Sequence, residues 1–325
     1  MGTGRQVRWG ILGAANIARG QFLPGLRETG DGVAAVVGSR DRERGEAFAA
    51  REGVEGAVEG YQAVLDDPEI DAVYVALPNS HHAEWTIKAI EAGKHVLCEK
   101  PLCAVPADTE TVLAVAREHP GAPLWEAFVF PFQAQHERMV ALIAEGAIGA
   151  PREIASAFHF RLGARENIRM SAALGGGALA DVGCYPIRLA HELLGPADGP
   201  LGIDARVDGE VDVDAAGFVA HGGRRLVLSC GFERPSDTFT RILGDGGRLH
   251  LTNPFHPRRD DTLEIHRPGE ESVTERPTID AHSFTAALRH IHAVVAGEQA
   301  PRHLAIDSAL ATARTLAGLQ QLVAR

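Results

Sequence analysis

Two short stretches of this chain carry residue types that can manage a proton at an oxygen atom. The first is Glu99-Lys100-Pro101, which follows the apolar run His95-Val96-Leu97-Cys98. That run reads as a buried strand, and in an open parallel sheet ligands lie beyond the carboxyl ends of the strands. A lysine at such an end points to where a cofactor and a substrate would meet. The second stretch is Gly175-Gly176-Gly177, followed by Asp181 and Tyr185. Three glycines let the backbone pass close to another group, and a helix then starts. Asp181 and Tyr185 are four residues apart and share a helical face; Pro186 is expected to kink the helix just after them. Taken alone, the pair is more simply an exposed polar couple, or a buried tyrosine whose hydroxyl is hydrogen-bonded.

Among the elements that must hold these groups, residues 7–12 form a strand candidate, followed by Gly13-Ala14-Ala15-Asn16-Ile17-Ala18 and a helix towards Arg27. This is the dinucleotide fingerprint G-x-G-x-x-G/A with Ala15 at its second glycine. The first glycine makes the tight turn, and the second position sets how closely the backbone approaches a pyrophosphate. Without its surroundings the turn is equally well a plain strand–turn–helix connection. Further strands at 33–37, 72–77 and 95–98 alternate with helices near 41–49, 82–92 and 107–118. That alternation predicts βαβ units on a parallel sheet covered on both faces. The second strand ends in Ser39-Arg40, with Arg44 one turn later. A 2′-phosphate pocket, and so NADP(H) rather than NAD(H), is one reading; Asp41 on the ribose with Arg40 as a surface charge is the other. Asp41 is also well placed to cap its helix. Leu77-Pro78-Asn79 ends a strand in the same crevice, where Asn79 and His82 either meet the cofactor or begin a helix. His81 and His82 do not face one way, and no cysteines form a C-x-x-C pair, so no metal site is expected.

After residue 122 the pattern changes. Trp125 to Phe130 reads as a strand, Gln133 to Glu145 as a helix stopped by Gly146, and Arg152 to Leu162 as extended chain. Leu226, Leu228 and Cys230 alternate in a half-buried strand, and Asp245-Gly246 is a hairpin turn. The expected fold class is α/β: a Rossmann domain over 1–122, then an α+β domain over 123–325 with a large, mainly antiparallel open sheet. The last helix is expected to pack back on the first domain. With 325 residues, 45% of them apolar, two cores are affordable. A net charge of −11 argues against nucleic acid and anionic membrane surfaces as partners. The polar start, Met1 to Trp9, predicts no secretory leader, and Gln6 stands where a myristoylation signal wants Ser or Thr. A cytoplasmic protein is expected.

These motifs, Gly10 to Ala18, Ala92-Gly93-Lys94-His95-Val96 with Glu99-Lys100-Pro101, and Gly175-Gly176-Gly177 with Asp181 and Tyr185, resemble the Gfo/Idh/MocA family of glucose–fructose oxidoreductases and inositol dehydrogenases. The resemblance runs over the whole chain. It implies that Lys100 contacts the reacting oxygen, Tyr185 exchanges the proton and Asp181 orients them. It also implies a homodimer or homotetramer formed through the second sheet. Glu99 joins the cofactor side; Arg161, Asn167 and Arg169 are candidate substrate contacts. Where relatives often have an arginine and a His-Pro-Gln, this chain has Pro131 and Gln133-Ala134-Gln135, expected to shape the pocket or its rim. An ammonium about 4 Å from a phenol contributes up to about 4 kcal/mol at an effective dielectric near 20. That lowers a phenol by up to about three pH units before desolvation. The implied activity is NADP-dependent hydride transfer to or from a sugar or related polyhydroxylated compound. A ketoreductase acting on a nucleotide-linked deoxysugar, a nicotinamide-assisted glycosidase and a non-catalytic cofactor-binding regulator are the alternatives.

Overall fold

The computed structural model describes residues 5–163 and 166–324. Residues 1–4, part of the lipidation reading, lie outside the described residues. Two compact units emerge. One takes the chain up to Cys103, then Ala107–Val129 and Asp280–Asp307; the other holds Ala104–Pro106, Phe130–Ile279 and the remainder from Ser308.

In the first unit, β1 (Val7–Leu12), β2 (Gly32–Ser39), β3 (Gly56–Glu59), β4 (Ala72–Val75), β5 (His95–Cys98) and β6 (Leu124–Glu126) form one sheet in the order 3-2-1-4-5-6. All five pairings are parallel. The short central strands have no polar face because helices cover both sides. These are α1 (Leu23–Thr29), α2 (Arg42–Glu52), α3 (Gln62–Leu65), α4 (His82–Glu91) and α5 (Pro106–Glu118). β3 and α3 were not anticipated; the short Gly56–Glu59 run lacks the apolar pattern of a buried strand. The strand expected to reach Phe130 stops at Glu126, and Phe130–Phe132 is a single tight turn.

The second unit begins with α6 (Ala134–Ala144), β7 (Pro151–His159) and α7 (Cys184–Leu194). Seven further strands follow: β8 (Leu201–Asp208), β9 (Val211–His221), β10 (Arg224–Gly231), β11 (Asp237–Gly244), β12 (Arg248–Thr252), β13 (Leu263–His266) and β14 (Val273–Glu275). With β7 they make one sheet in the order 14-13-12-11-7-10-9-8. Only the β7–β10 pairing is parallel. Leu226, Leu228 and Cys230 point into the core, whereas Val227 points out. α7 packs on β7 and β10.

The two helices near the C-terminus divide differently from the sequence expectation. α8 (Thr285–Val295) is the one that joins the first unit, where His292 accepts from the Trp9 indole and Glu28 accepts from Thr285. α9 (Ala309–Val323), expected there, instead packs on α7 and β8 in the second. The physical reason lies in the polar partners. α8 brings the buried His292, which meets both Trp9 and Asp31, while α9 buries Ala309, Ala313, Leu316 and Leu319 in the second unit.

Candidate active site

The turn after β1 is built around Gly13, whose backbone φ is +106°. A side chain there would lie 2.9 Å from the Ala76 carbonyl, so glycine is needed for the β1 and β4 ends to come together. Ala14 and Ala15 are half-buried, Asn16 is exposed, and Ile17 leads into the first turn of helix. That turn is wide: the Leu23 amide reaches back five residues to the Ala18 carbonyl. Pro24, which has no N–H to give, follows directly.

Ser39 is buried at the end of β2, and its hydroxyl accepts from the Asp41 amide at 3.3 Å. Asp41 caps α2, accepting from the Arg44 amide at 2.8 Å. Its carboxylate is thereby committed to the helix, and Arg40 and Arg44 are left exposed beside the fingerprint turn. The Arg44 guanidinium donates to the Ala14 carbonyl at 3.2 Å. A cradle that excludes a Cβ and two cations next to it fit a dinucleotide with an anionic ribose.

Around Lys100 the strand ends are tied by buried polar groups. Glu99 is buried and accepts from the Tyr74 hydroxyl at 2.5 Å. Lys100 is half-buried, and the Lys100–Pro101 peptide is cis. The Leu102 amide donates to Glu126 at 2.7 Å. His82 is fully buried, with one ring nitrogen 2.9 Å from the Leu77 carbonyl and the other 2.9 Å from that of Pro101. Burial pushes its pKa down. The expectation that His82 touches the cofactor therefore gives way to a bracing role: it joins the turn after β4 to the turn that carries Lys100. Pro78 and Asn79 stay half-exposed at that turn, with Leu77 buried. Lys94, the other lysine of the box, is buried and donates to the Asp67 and Ile70 carbonyls at 2.7 and 2.9 Å.

In the second unit the glycine run has a local explanation. A side chain at Gly176 would collide with the Arg169 carbonyl, and one at Gly177, where φ is +109°, would collide with the Asp212 carboxylate. Asp212, buried on β9, accepts from the Leu179 amide at 2.6 Å and so caps the Tyr185 helix from another element. Burial raises its carboxyl above the usual range. The first turn, Leu179–Gly183, is again wide, and Pro186 lies just inside α7. The expected kink thus takes the form of a widened turn ahead of the proline. Asp181 accepts from Arg169 Nε at 2.6 Å, and Arg169 lies over the Phe160 ring. Tyr185 is 4% exposed among Phe130, Phe158 and Phe255, and its hydroxyl is 3.2 Å from His256 Nε2.

Asn167 caps the short turn Ile168–Met170 through the Arg169 amide, and Arg161 is exposed just past β7. Neither Gln133 nor Gln135 is at a rim: both are buried, and Gln135 donates to the Thr252 and Thr262 carbonyls at 3.1 Å each. Two residues with a part in this site, Asp212 and His256, lie outside every motif read from the sequence. Only the Asn-Pro and His-Pro flanks of Phe255-His256 hinted at a constrained turn.

Residues 7–128 match the family described as "Oxidoreductase family, NAD-binding Rossmann fold", and residues 136–250 match the "GFO/IDH/MocA C-terminal domain". A dTDP-3,4-didehydro-2,6-dideoxy-alpha-D-glucose 3-reductase of Saccharopolyspora spinosa is 36% identical over 90% of this chain and 92% of its own. D-xylose 1-dehydrogenase (NADP(+)) 2 of Haloferax volcanii is 34% identical over 77% of each chain. Among solved structures, KijD10, a 3-ketoreductase from Actinomadura kijaniata in complex with NADP and TDP-benzene, is 34% identical with a TM-score of 0.86, covering 98% of both chains. It is also known with a lysine replaced by alanine and with a tyrosine replaced by phenylalanine. By sequence and by fold alike, the chain belongs to the Gfo/Idh/MocA family and is an NAD(P)-dependent oxidoreductase.

Proposed function

We propose that this oxidoreductase reduces the keto group of a nucleotide-linked deoxysugar, with NADPH as its reductant. The observation that carries the chemistry is the Tyr185 phenol, buried in an aromatic setting with its oxygen on an imidazole. A buried hydroxyl tied to a second exchangeable group suits proton transfer better than packing. The substrate class rests on similarity to the dTDP-sugar 3-reductases. Similarity to the xylose dehydrogenase supports a second reading, oxidation of a free sugar with NADP.

Bound nicotinamide would supply the hydride, and this chain's residues would do the rest. The fingerprint turn at Gly13 to Ile17 takes the pyrophosphate, with Ser39, Arg40 and Arg44 on the 2′-phosphate. Glu99 and Asn79 border the nicotinamide end. Catalysis in this form requires Lys100 and Tyr185 to reach the same substrate oxygen. Lys100 then stabilises charge developing on that oxygen, and Tyr185 delivers the proton. Asp181, paired with Arg169, fixes the first turn of the tyrosine helix. Arg161 and Asn167 complete the substrate side. The protein acts in the cytoplasm as a homodimer or homotetramer through the outer face of the second sheet, where Phe218 and Val227, neighbours across β9 and β10, are 41% and 40% exposed. Among the described residues, no helix is long and apolar enough to cross a membrane.

The test offers the purified protein two substrates: a dTDP-linked 3-keto-deoxysugar with NADPH, and a panel of free aldoses with NADP+. Loss of nicotinamide absorbance with the first, matched by a dTDP-sugar two hydrogens heavier, is the expected result. Turnover confined to the aldoses would replace it with the dehydrogenase reading. Cleavage of a glycoside with no net absorbance change would point to the glycosidase class.

A further inference from the structure

His256 lies 71 residues beyond Tyr185, in the loop between β12 and β13, yet its Nε2 sits 3.2 Å from the Tyr185 hydroxyl. The loop is built to keep it there. Gln135 holds both ends of the neck, through the Thr252 and Thr262 carbonyls. The Thr262 amide donates to Thr252 Oγ1 at 2.7 Å, closing the neck from within. Asn253 takes up a left-handed backbone conformation, φ +44°. From there its amide side chain donates to the His256 carbonyl and to Asp261 Oδ2. Asp261 also accepts from the Arg258 amide at 2.7 Å. The imidazole itself packs edge-on to both Phe158 and Tyr185, with ring centroids 6.0 and 5.5 Å away. A surface histidine needs no such scaffold.

We propose that His256 is a positioning residue for Tyr185, orienting the phenol and exchanging the proton that Tyr185 gives to substrate. This rests on the assignment of Tyr185 as proton donor. In the reducing direction, hydride adds to the carbonyl carbon and the C=O π pair moves to oxygen. The Tyr185 O–H bond breaks and its proton forms the product hydroxyl, leaving a phenolate. The Nε2–H bond of protonated His256 then breaks, its proton re-forms the phenol, and the neutral imidazole regains a proton from water. In the oxidising direction each transfer reverses. The charged and titratable groups on the two elements are Asp181 with its partner Arg169, and Arg188, His191 and Glu192, on the Tyr185 side, and Arg258, Arg259, Asp260 and Asp261 on the His256 loop.

The deciding measurement is an ultraviolet titration of the phenol in the full-length protein without cofactor. The chain has three tyrosines, so a Tyr185→Phe blank isolates the Tyr185 signal from Tyr61 and Tyr74. His256→Phe removes the donor to the phenolate, and the Tyr185 midpoint is expected to rise by about one to two pH units. His256→Gln keeps an N–H for the phenolate but cannot exchange a proton. It should return the midpoint towards wild type while kcat stays about 10- to 100-fold down. In that variant KM should hold within about twofold, and the shape of the kcat–pH profile should change. An unchanged midpoint in both folded variants, or a kcat–pH profile in His256→Gln that overlays the wild type, would overturn the proposal. Because the titration needs neither substrate nor cofactor, a failed substrate assignment leaves this result readable.

Discussion

At the scale of single residues, Lys100 and Tyr185 carry the proposed chemistry, and each has a defined expected loss. Tyr185→Phe removes the transferable proton but keeps the ring packed among Phe130, Phe158 and Phe255. Lys100→Ala removes the ammonium. Each is expected to lower kcat by about 100-fold or more, as for the loss of an acid–base group or an oxyanion donor. NADPH affinity, read by fluorescence titration, should change less than about twofold. Arg40 tests the other end of the cofactor. Asp41 caps its helix, and the proposed contact to the 2′-phosphate is Arg40. Arg40→Ala is expected to weaken NADPH about 10- to 100-fold, the worth of a charge-assisted hydrogen bond, while NADH binding stays within about twofold. Equal loss for both cofactors in calorimetry would move the 2′-phosphate elsewhere.

At the scale of elements, the Tyr185 helix is held by groups that come from distant strands. Asp212 on β9 reaches the helix start through the space left by Gly177. Gly177→Ala puts a methyl where that carboxylate sits, on a backbone with φ +109°. A destabilisation of about 1–3 kcal/mol is expected from the strain alone, measured by chemical denaturation, with kcat reduced because the helix start shifts. α7 is also tied to α9, where His191 Nε2 meets Thr315 Oγ1 at 3.0 Å. Burial first, and then the neighbouring His221, depress His191 from 6.5 to about 4. The unfolded chain therefore binds this proton more readily, and the contribution is fully present above pH 6.5 and lost as pH falls towards about 4. The amount is about 3 kcal/mol. Unfolding free energies followed from neutral to acid pH should fall by about that much more in wild type than in His191→Gln. Matching slopes would show that other buried histidines carry the acid sensitivity.

For the whole molecule, the second sheet exposes apolar side chains on its outer face, with Leu243 adding to Phe218 and Val227. If that face is the subunit contact, Phe218→Lys with Val227→Glu should convert the oligomer to a monomer in light scattering. The circular dichroism spectrum should be unchanged. An unaltered mass would place the contact on another surface. The four cysteines are all free and buried, so no disulfide contributes to the stability of the units. Burial raises the Cys98 and Cys230 thiols well above their usual value and pushes that of Cys103 up to about 12.

Much of this protein was legible as a string of residues. The alternation of apolar strands and helices up to the helix at 107–118, apart from β3 and α3, the Gly13 turn, the lysine at the end of β5 and the hairpin at Asp245-Gly246 are all local patterns. Backbone sterics and the burial of both faces of a parallel sheet write them directly into the chain. The partners of those groups were not legible. His256 reaches Tyr185 across 71 positions, Gln135 reaches Thr252 and Thr262 across more than a hundred, and Asp212 caps a helix from a strand. The return of α8, rather than α9, to the first unit likewise depended on Trp9, Asp31 and Glu28 finding their acceptors and donors. Local propensity acts over a few residues, whereas a hydrogen bond between buried side chains is decided only once distant segments have been brought within about 3 Å.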